Sequence, residues 1–202
     1  MTGPAEHLPQ ALGAGGDYTS LPGELPAPTD DGAADHLPGM AMPHLMLRDT
    51  DRKYVALDGL GSGRSIVYIY PMSGLPGVAL PEGWDDIPGA RGCTPESCGF
   101  RNHFTELQAA GASVVYGLSS QNTKYQAELA QRLGLPFTII SDPDLELAAA
   151  LRLPTFTADG PRLYKRLTLV VGDGRIEHAF YPIFPPDEHA AEVLRWLLSH
   201  PR

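Results

Sequence analysis

The run Ser65-Ile66-Val67-Tyr68-Ile69-Tyr70 shows no polar alternation, and Pro71 ends it. A strand with that pattern is buried on both faces, which requires cover on each side of its sheet. The rest of the chain offers segments to provide it. Residues 42–47 and 54–57 are short apolar runs around the polar stretch 48–53, and they predict a hairpin that opens the domain. Phe100, Phe104 and Leu107 recur at helical spacing and predict a helix over 94–110, closed by Gly111. A strand over 114–118 follows. Asn122 or Thr123 then caps a helix that Gly134 stops after residue 133. A strand over 137–140 and a short helix over 144–151 come next. Segments 166–171 and 175–181 flank Gly172-Asp173-Gly174 as a second hairpin. The chain closes on an amphipathic helix over 187–199, with Val193, Leu194, Leu197 and Leu198 on its apolar side. Strands alternating with helices in this rhythm give an α/β fold.

The 202 residues suffice for one domain with a full core and a tail. Residues 1–41 carry no Lys or Arg, and six carboxylates (Glu6, Asp17, Glu24, Asp30, Asp31 and Asp35) among Pro, Gly and Ala. Such a segment buries little, so it is expected to be a disordered or loosely packed acidic arm, with the folded domain at 42–202. It has neither the basic nor the apolar region of a secretory signal. His7, His36 and His44, scattered among prolines, are expected to be solvated rather than metal ligands. A formal charge of −9 argues against nucleic acid as partner. No apolar run approaches the roughly 18 residues of a membrane span. Two cysteines in a chain this long fit a reducing cytoplasm better than a disulfide-built secreted scaffold.

Between Pro71 and the first cysteine lies an unusual stretch. Residues 72–92 hold several Gly/Pro turn signals, Trp84, and the acidic group Glu82, Asp85 and Asp86. A loop of ~20 residues is uncommon inside a compact domain and is often functional. Cys93 and Cys98 follow it, five positions apart, with Pro95 where a first-turn proline is tolerated. Cys93 therefore falls at a helix N-terminus, where free N–H groups and the macrodipole favour a thiolate. Arg91 and Arg101 bracket the pair. Five positions apart on an intact helix, the two Cα atoms lie roughly 8–9 Å from one another. A disulfide needs them within about 7 Å, so bridging requires local unwinding, which suits a switch better than a staple. A zinc site would need ligands the chain does not pair with these two. Two small buried hydrophobes remain an open reading of the residues alone.

The stretch Gly92-Cys93-Thr94-x-Glu96-x-Cys98-Gly99-Phe100-Arg101 resembles the active-site motif of the peroxiredoxins. It is most similar to their Q branch, also called bacterioferritin comigratory protein, and weaker similarity runs from about Met42 to the C-terminus. The resemblance implies a thioredoxin-like fold, a central mixed sheet flanked by helices, with the peroxiredoxin-type hairpin at its N-terminal end. It implies a peroxidatic Cys93 that reduces hydrogen peroxide and organic hydroperoxides, and a resolving Cys98 that closes an intramolecular disulfide. It further implies Arg166, at the start of a late strand, as the residue that binds peroxide and holds the thiolate, and thioredoxin or glutaredoxin as reductant. No metal, haem or flavin is called for, and the branch suggests a monomer.

One departure bears on the site. Peroxiredoxins carry Pro-x-x-x-Thr/Ser-x-x-Cys, whereas here Asp86 stands at the proline position and Ala90 at the hydroxyl position. In one arrangement Pro71 is the family's proline and Ser73 supplies the hydroxyl, with residues between about 74 and 87 inserted. In another, Thr94 or a water takes the role. Gly92 and Glu96 complete the expected substrate-binding set. The rival functions are a peroxide-responsive redox sensor and a thioredoxin-like disulfide oxidoreductase. The latter chemistry usually uses Cys-x-x-Cys, which this chain lacks.

Overall fold

The computed structural model describes residues 18–202; Glu6, His7 and Asp17 lie outside them. The elements are β1 (Met46–Asp49), β2 (Tyr54–Ala56), β3 (Arg64–Ile69), α1 (Cys93–Asn102), α2 (Phe104–Ala109), β4 (Ala112–Ser119) and α3 (Thr123–Leu133). They continue with β5 (Ile139–Ser141), α4 (Glu146–Leu151), β6 (Thr155–Thr157), β7 (Arg162–Tyr164), β8 (Leu167–Gly172), β9 (Arg175–Phe180) and α5 (His189–Ser199). Seven strands form one mixed sheet in the order β2-β1-β5-β4-β3-β8-β9. Strand β3 runs parallel to β4 and antiparallel to β8.

All six residues of β3 are buried, and its side chains divide between two cores. Ile66 and Tyr68, with Tyr70 one residue beyond the strand, face Phe100, Leu107, Leu129, Val193 and Leu197 of the helices α1, α2, α3 and α5. Val67 and Ile69 face the opposite layer, with Leu147 and Leu151 of α4 and the N-terminal residues Leu37 and Met42. The period-two geometry of a strand makes this division. Stacking of Tyr68 on Phe100, ring centroids 4.3 Å apart, seats α1 directly on the central strand.

Four features differ from expectation. The helix over 94–110 is two helices, because His103 leaves helical geometry at φ −95°, ψ 7° while its ring bonds Glu106 at 2.5 Å. Strands β6 and β7 pair as a small separate hairpin, each only three residues long and too short to show a period. Leu198 is 64% exposed, since α5 turns a narrower face inward than its composition suggests. Residues 18–41, expected to be loose, lie against the domain from Tyr18 onward. Leu37 is fully buried, Ala41 bridges Arg175, and Lys165 Nζ pairs with Asp31 at 2.7 Å. A few apolar residues at the right places anchor a segment whose average composition is polar.

The 72–92 loop is also ordered by packing. Trp84, in a short 3-10 turn, joins Ala90, Leu163 and Ala158 in a third small core, with Met72, Leu80, Ile87 and Phe156 around it. The loop and the β6–β7 hairpin thus bury one another's apolar residues. His44 is solvated as expected, its side chain 85% exposed while it bonds Asp58 at 2.7 Å, and the half-buried His36 bonds the Leu151 carbonyl at 2.8 Å.

Candidate active site

The first turn of α1 is set by Gly92. Its φ of +105° favours glycine, and a Cβ there would lie 2.3 Å from Pro186 and 2.8 Å from Leu21. No other residue fits without displacing both neighbours. The next residue, Cys93, opens the helix and is 3% exposed. Its sulfur receives a hydrogen bond from Arg166 Nη2 at 3.2 Å and lies 3.6 Å from the Ala90 carbonyl.

Arg166 stands at the entry to β8 and is itself buried. Its Nη2 also donates to the Ala90 and Arg91 carbonyls at 3.2 Å, its Nε donates to Gly89 at 3.3 Å, and its Nη1 donates to Glu96. Side-chain exposure is 1% for Arg166 and 0% for Glu96. One guanidinium therefore faces two acids, Cys93 and Glu96, in a dry environment. Burial pushes the Cys93 thiol above its ordinary value; Arg166 opposes this, Glu96 adds to it, and a Met72 backbone hydrogen bond lowers it. Burial likewise raises the Glu96 carboxyl, again against Arg166. Burial works to lower the Arg166 pKa, yet the two acids outweigh it and hold the guanidinium charged.

Pro71 is buried, ends β3 and brings Met72 and Ser73 to the sulfur; Met72 and Ser73, with Thr94 and Gly92, line a cavity of about 10 Å³ beside Cys93. The Ser73 hydroxyl donates to Gln121 Oε1 at 3.1 Å, and Gln121 and Tyr125 donate to its carbonyl. By contrast the Thr94 hydroxyl is buried with no partner among the described residues. Glu96 lies outside the cavity, beneath Arg166. Arg101 is remote too: it reaches the Leu133 carbonyl and Asn102. Ala90 is fully buried, its methyl in the cluster of Trp84 and Leu163.

Cys98 is half-buried on the same intact helix, and both thiols are free. Tyr18, Leu80 and Trp84 also line the cavity, and sequence reasoning did not place them there. A lone Trp in a long loop was the only signal. Tyr18 gave none.

Comparison with known proteins identifies the family. The redoxin family pattern matches residues 37–194. A putative peroxiredoxin bcp of Coxiella burnetii is 30% identical over 159 residues, covering 77% of this chain and 95% of that protein. Peroxiredoxin Bcp of Escherichia coli (strain K12) is 30% identical over 168 residues, covering 80% and 96%. The crystal structure of peroxidoxin BcpB from Mycobacterium tuberculosis superposes with a TM-score of 0.65 at 23% identity, over 83% of this chain and all of that one, and shares its thioredoxin-like fold. The chain belongs to the redoxin family, within the Bcp/Q branch of the peroxiredoxins, which are thiol peroxidases.

Proposed function

We propose that this chain reduces hydroperoxides with Cys93 as nucleophile and Cys98 as resolving thiol. The observation that carries this is the guanidinium of Arg166, 3.2 Å from the Cys93 sulfur, beside a cavity lined by Thr94, whose buried hydroxyl has no partner among the described residues. The Cys93 thiolate attacks one peroxide oxygen, forming an S–O bond as the O–O bond breaks. The electron pair of that bond leaves on the other oxygen, which takes a proton and departs as water or an alcohol. Sulfur is oxidised to the sulfenic acid and the peroxide is reduced. Arg166 favours the thiolate and offsets charge on the departing oxygen, and the Thr94 hydroxyl donates to the bound peroxide. Glu96 is a positioning residue that fixes Arg166.

The Cys98 thiol then displaces the sulfenic oxygen as water and forms the S–S bond. Because α1 is intact from Cys93 to Asn102, its first turns unwind for this step. An external dithiol of the thioredoxin or glutaredoxin kind reduces the bridge and is itself oxidised to a disulfide. A monomer in the cytoplasm is the setting we propose.

Intact-mass measurement of reduced protein after one equivalent of hydrogen peroxide tests the assignment. Wild type loses two hydrogens, as the Cys93–Cys98 bridge, and Cys98→Ser gains one oxygen at Cys93. If both proteins keep their reduced masses over seconds, the assignment fails.

A further inference from the structure

The cavity at Cys93 is narrowed on one side by residues that the motif does not contain. Tyr18 comes from the N-terminal segment; Leu80 and Trp84 come from the 72–92 loop. They form a built wall. The Tyr18 hydroxyl donates to the Val78 carbonyl, its ring lies 5.0 Å from the Arg91 guanidinium, and Arg91 Nη1 pairs with Asp85 at 3.0 Å. The same ring presses so closely on Gly74 that a Cβ there would lie 2.6 Å from it, with Leu80 only 3.2 Å away. Trp84 is 2% exposed and is held from behind by Phe156 of β6, ring centroids 6.1 Å apart. What remains beside the sulfur is about 10 Å³. That is close to the room needed by one water molecule.

We propose that Tyr18, Leu80 and Trp84 act as a size filter, restricting Cys93 to hydrogen peroxide and comparably small hydroperoxides and barring those with tertiary-alkyl or aryl groups. This rests on the peroxidase reading above and narrows its substrate class. Hydrogen peroxide is little larger than the water-sized space. An aryl hydroperoxide presents a quaternary carbon and a ring to a wall of three interlocked side chains, and it enters only if that wall comes apart. Discrimination therefore comes from excluded volume rather than from a polar contact, and it resides outside the cysteine motif.

The test is a single-turnover comparison of full-length wild type, Tyr18→Ala, Leu80→Ala and Tyr18→Phe. Each is mixed with hydrogen peroxide or cumene hydroperoxide, quenched by alkylation, and read by intact mass. Wild type is expected to react about 100-fold faster with hydrogen peroxide than with cumene hydroperoxide, the scale on which an apolar pocket rejects added bulk. Tyr18→Ala and Leu80→Ala each shrink that ratio by about 10-fold. Tyr18→Phe, which keeps the ring, retains the wild-type ratio. Near-equal rates for wild type, or a ratio unmoved by both alanine variants, would overturn the filter while leaving the peroxidase reading intact. Absence of oxidation by either peroxide in every protein would overturn the peroxidase reading, and the filter with it.

Discussion

Lys165 and Arg166 are neighbours in sequence, and each pairs with a carboxylate, yet the two pairs have little else in common. Lys165 reaches outward to Asp31 and Tyr181, with side chains 38% and 46% exposed across the ion pair. Arg166 reaches inward to Glu96 and Cys93, with exposures of 1% and 0% across its pair. The Lys165 hydrogen bond, with that of Tyr181, pulls the Asp31 carboxyl down to about 2, as expected for a carboxylate that gains partners and keeps its water. Glu96 shifts the opposite way because burial outweighs its partner. The surface pair tethers a segment. The buried pair holds charge where water cannot screen it, which is what thiolate chemistry requires.

The largest expected effect tests the inner pair. Arg166→Ala should lower the rate of Cys93 oxidation by about 10²–10³-fold in rapid-quench measurements, comparable to loss of a preorganised donor. It should also cost roughly 3–5 kcal/mol in denaturant unfolding, since Glu96 loses the one hydrogen-bond partner its buried carboxylate has among the described residues. A variant as fast as wild type would remove Arg166 from the chemistry.

Glu96→Gln sharpens the contrast by removing one of the two acids. Because the Glu96 charge raises the Cys93 thiol, the variant should shift the pH profile of Cys93 alkylation, followed in a Cys98→Ser background, to lower pH. An unmoved profile would uncouple the two acids. Stability gives an independent sign. The Glu96 carboxyl is raised above its ordinary 4.5, so the folded state holds the proton longer than the unfolded chain does. Wild type should therefore lose stability relative to Glu96→Gln as pH rises from about 4.5, seen in denaturant midpoints across pH.

The smallest effect belongs to the outer pair. Asp31→Asn should leave the unfolding midpoint nearly unchanged and speed amide exchange in the segment around Asp31. The Asp31 carboxyl is depressed from 3.8 to about 2, so its contribution is present above 3.8 and fades as pH falls toward 2. Exchange that differs equally from wild type at pH 2 and pH 7 would contradict a tether of this kind.

The same contrast explains what could be read from the chain alone. The uninterrupted run before Pro71 revealed a doubly covered strand, and the residues around Cys93 and Cys98 revealed the reaction. Both signals are local. Tyr18 in the wall of the Cys93 cavity could not be foreseen, since it comes from a polar segment and is held there by packing on Gly74. Nor could the burial of Ala90, which reads as a missing hydroxyl until Trp84 and Leu163 are seen around it. The β6–β7 hairpin escaped because strands of three residues carry no period. Ser73 and Thr94 were equal candidates in sequence. Only hydrogen-bond partners separate the occupied hydroxyl from the idle one.

The break at His103 has a mechanical consequence. Helices α1 and α2 are consecutive but separately closed, with the His103 amide bonded back to Gly99 and its carbonyl serving Leu107. The proposed bridge between Cys98 and Cys93 would unwind the first turns of α1, and a single helix over 94–110 would pass that unwinding on toward β4. The hinge works as a firebreak. Unwinding of the first turns of α1, which the proposed bridge requires, would then end at His103 and leave the six residues of α2 against the sheet.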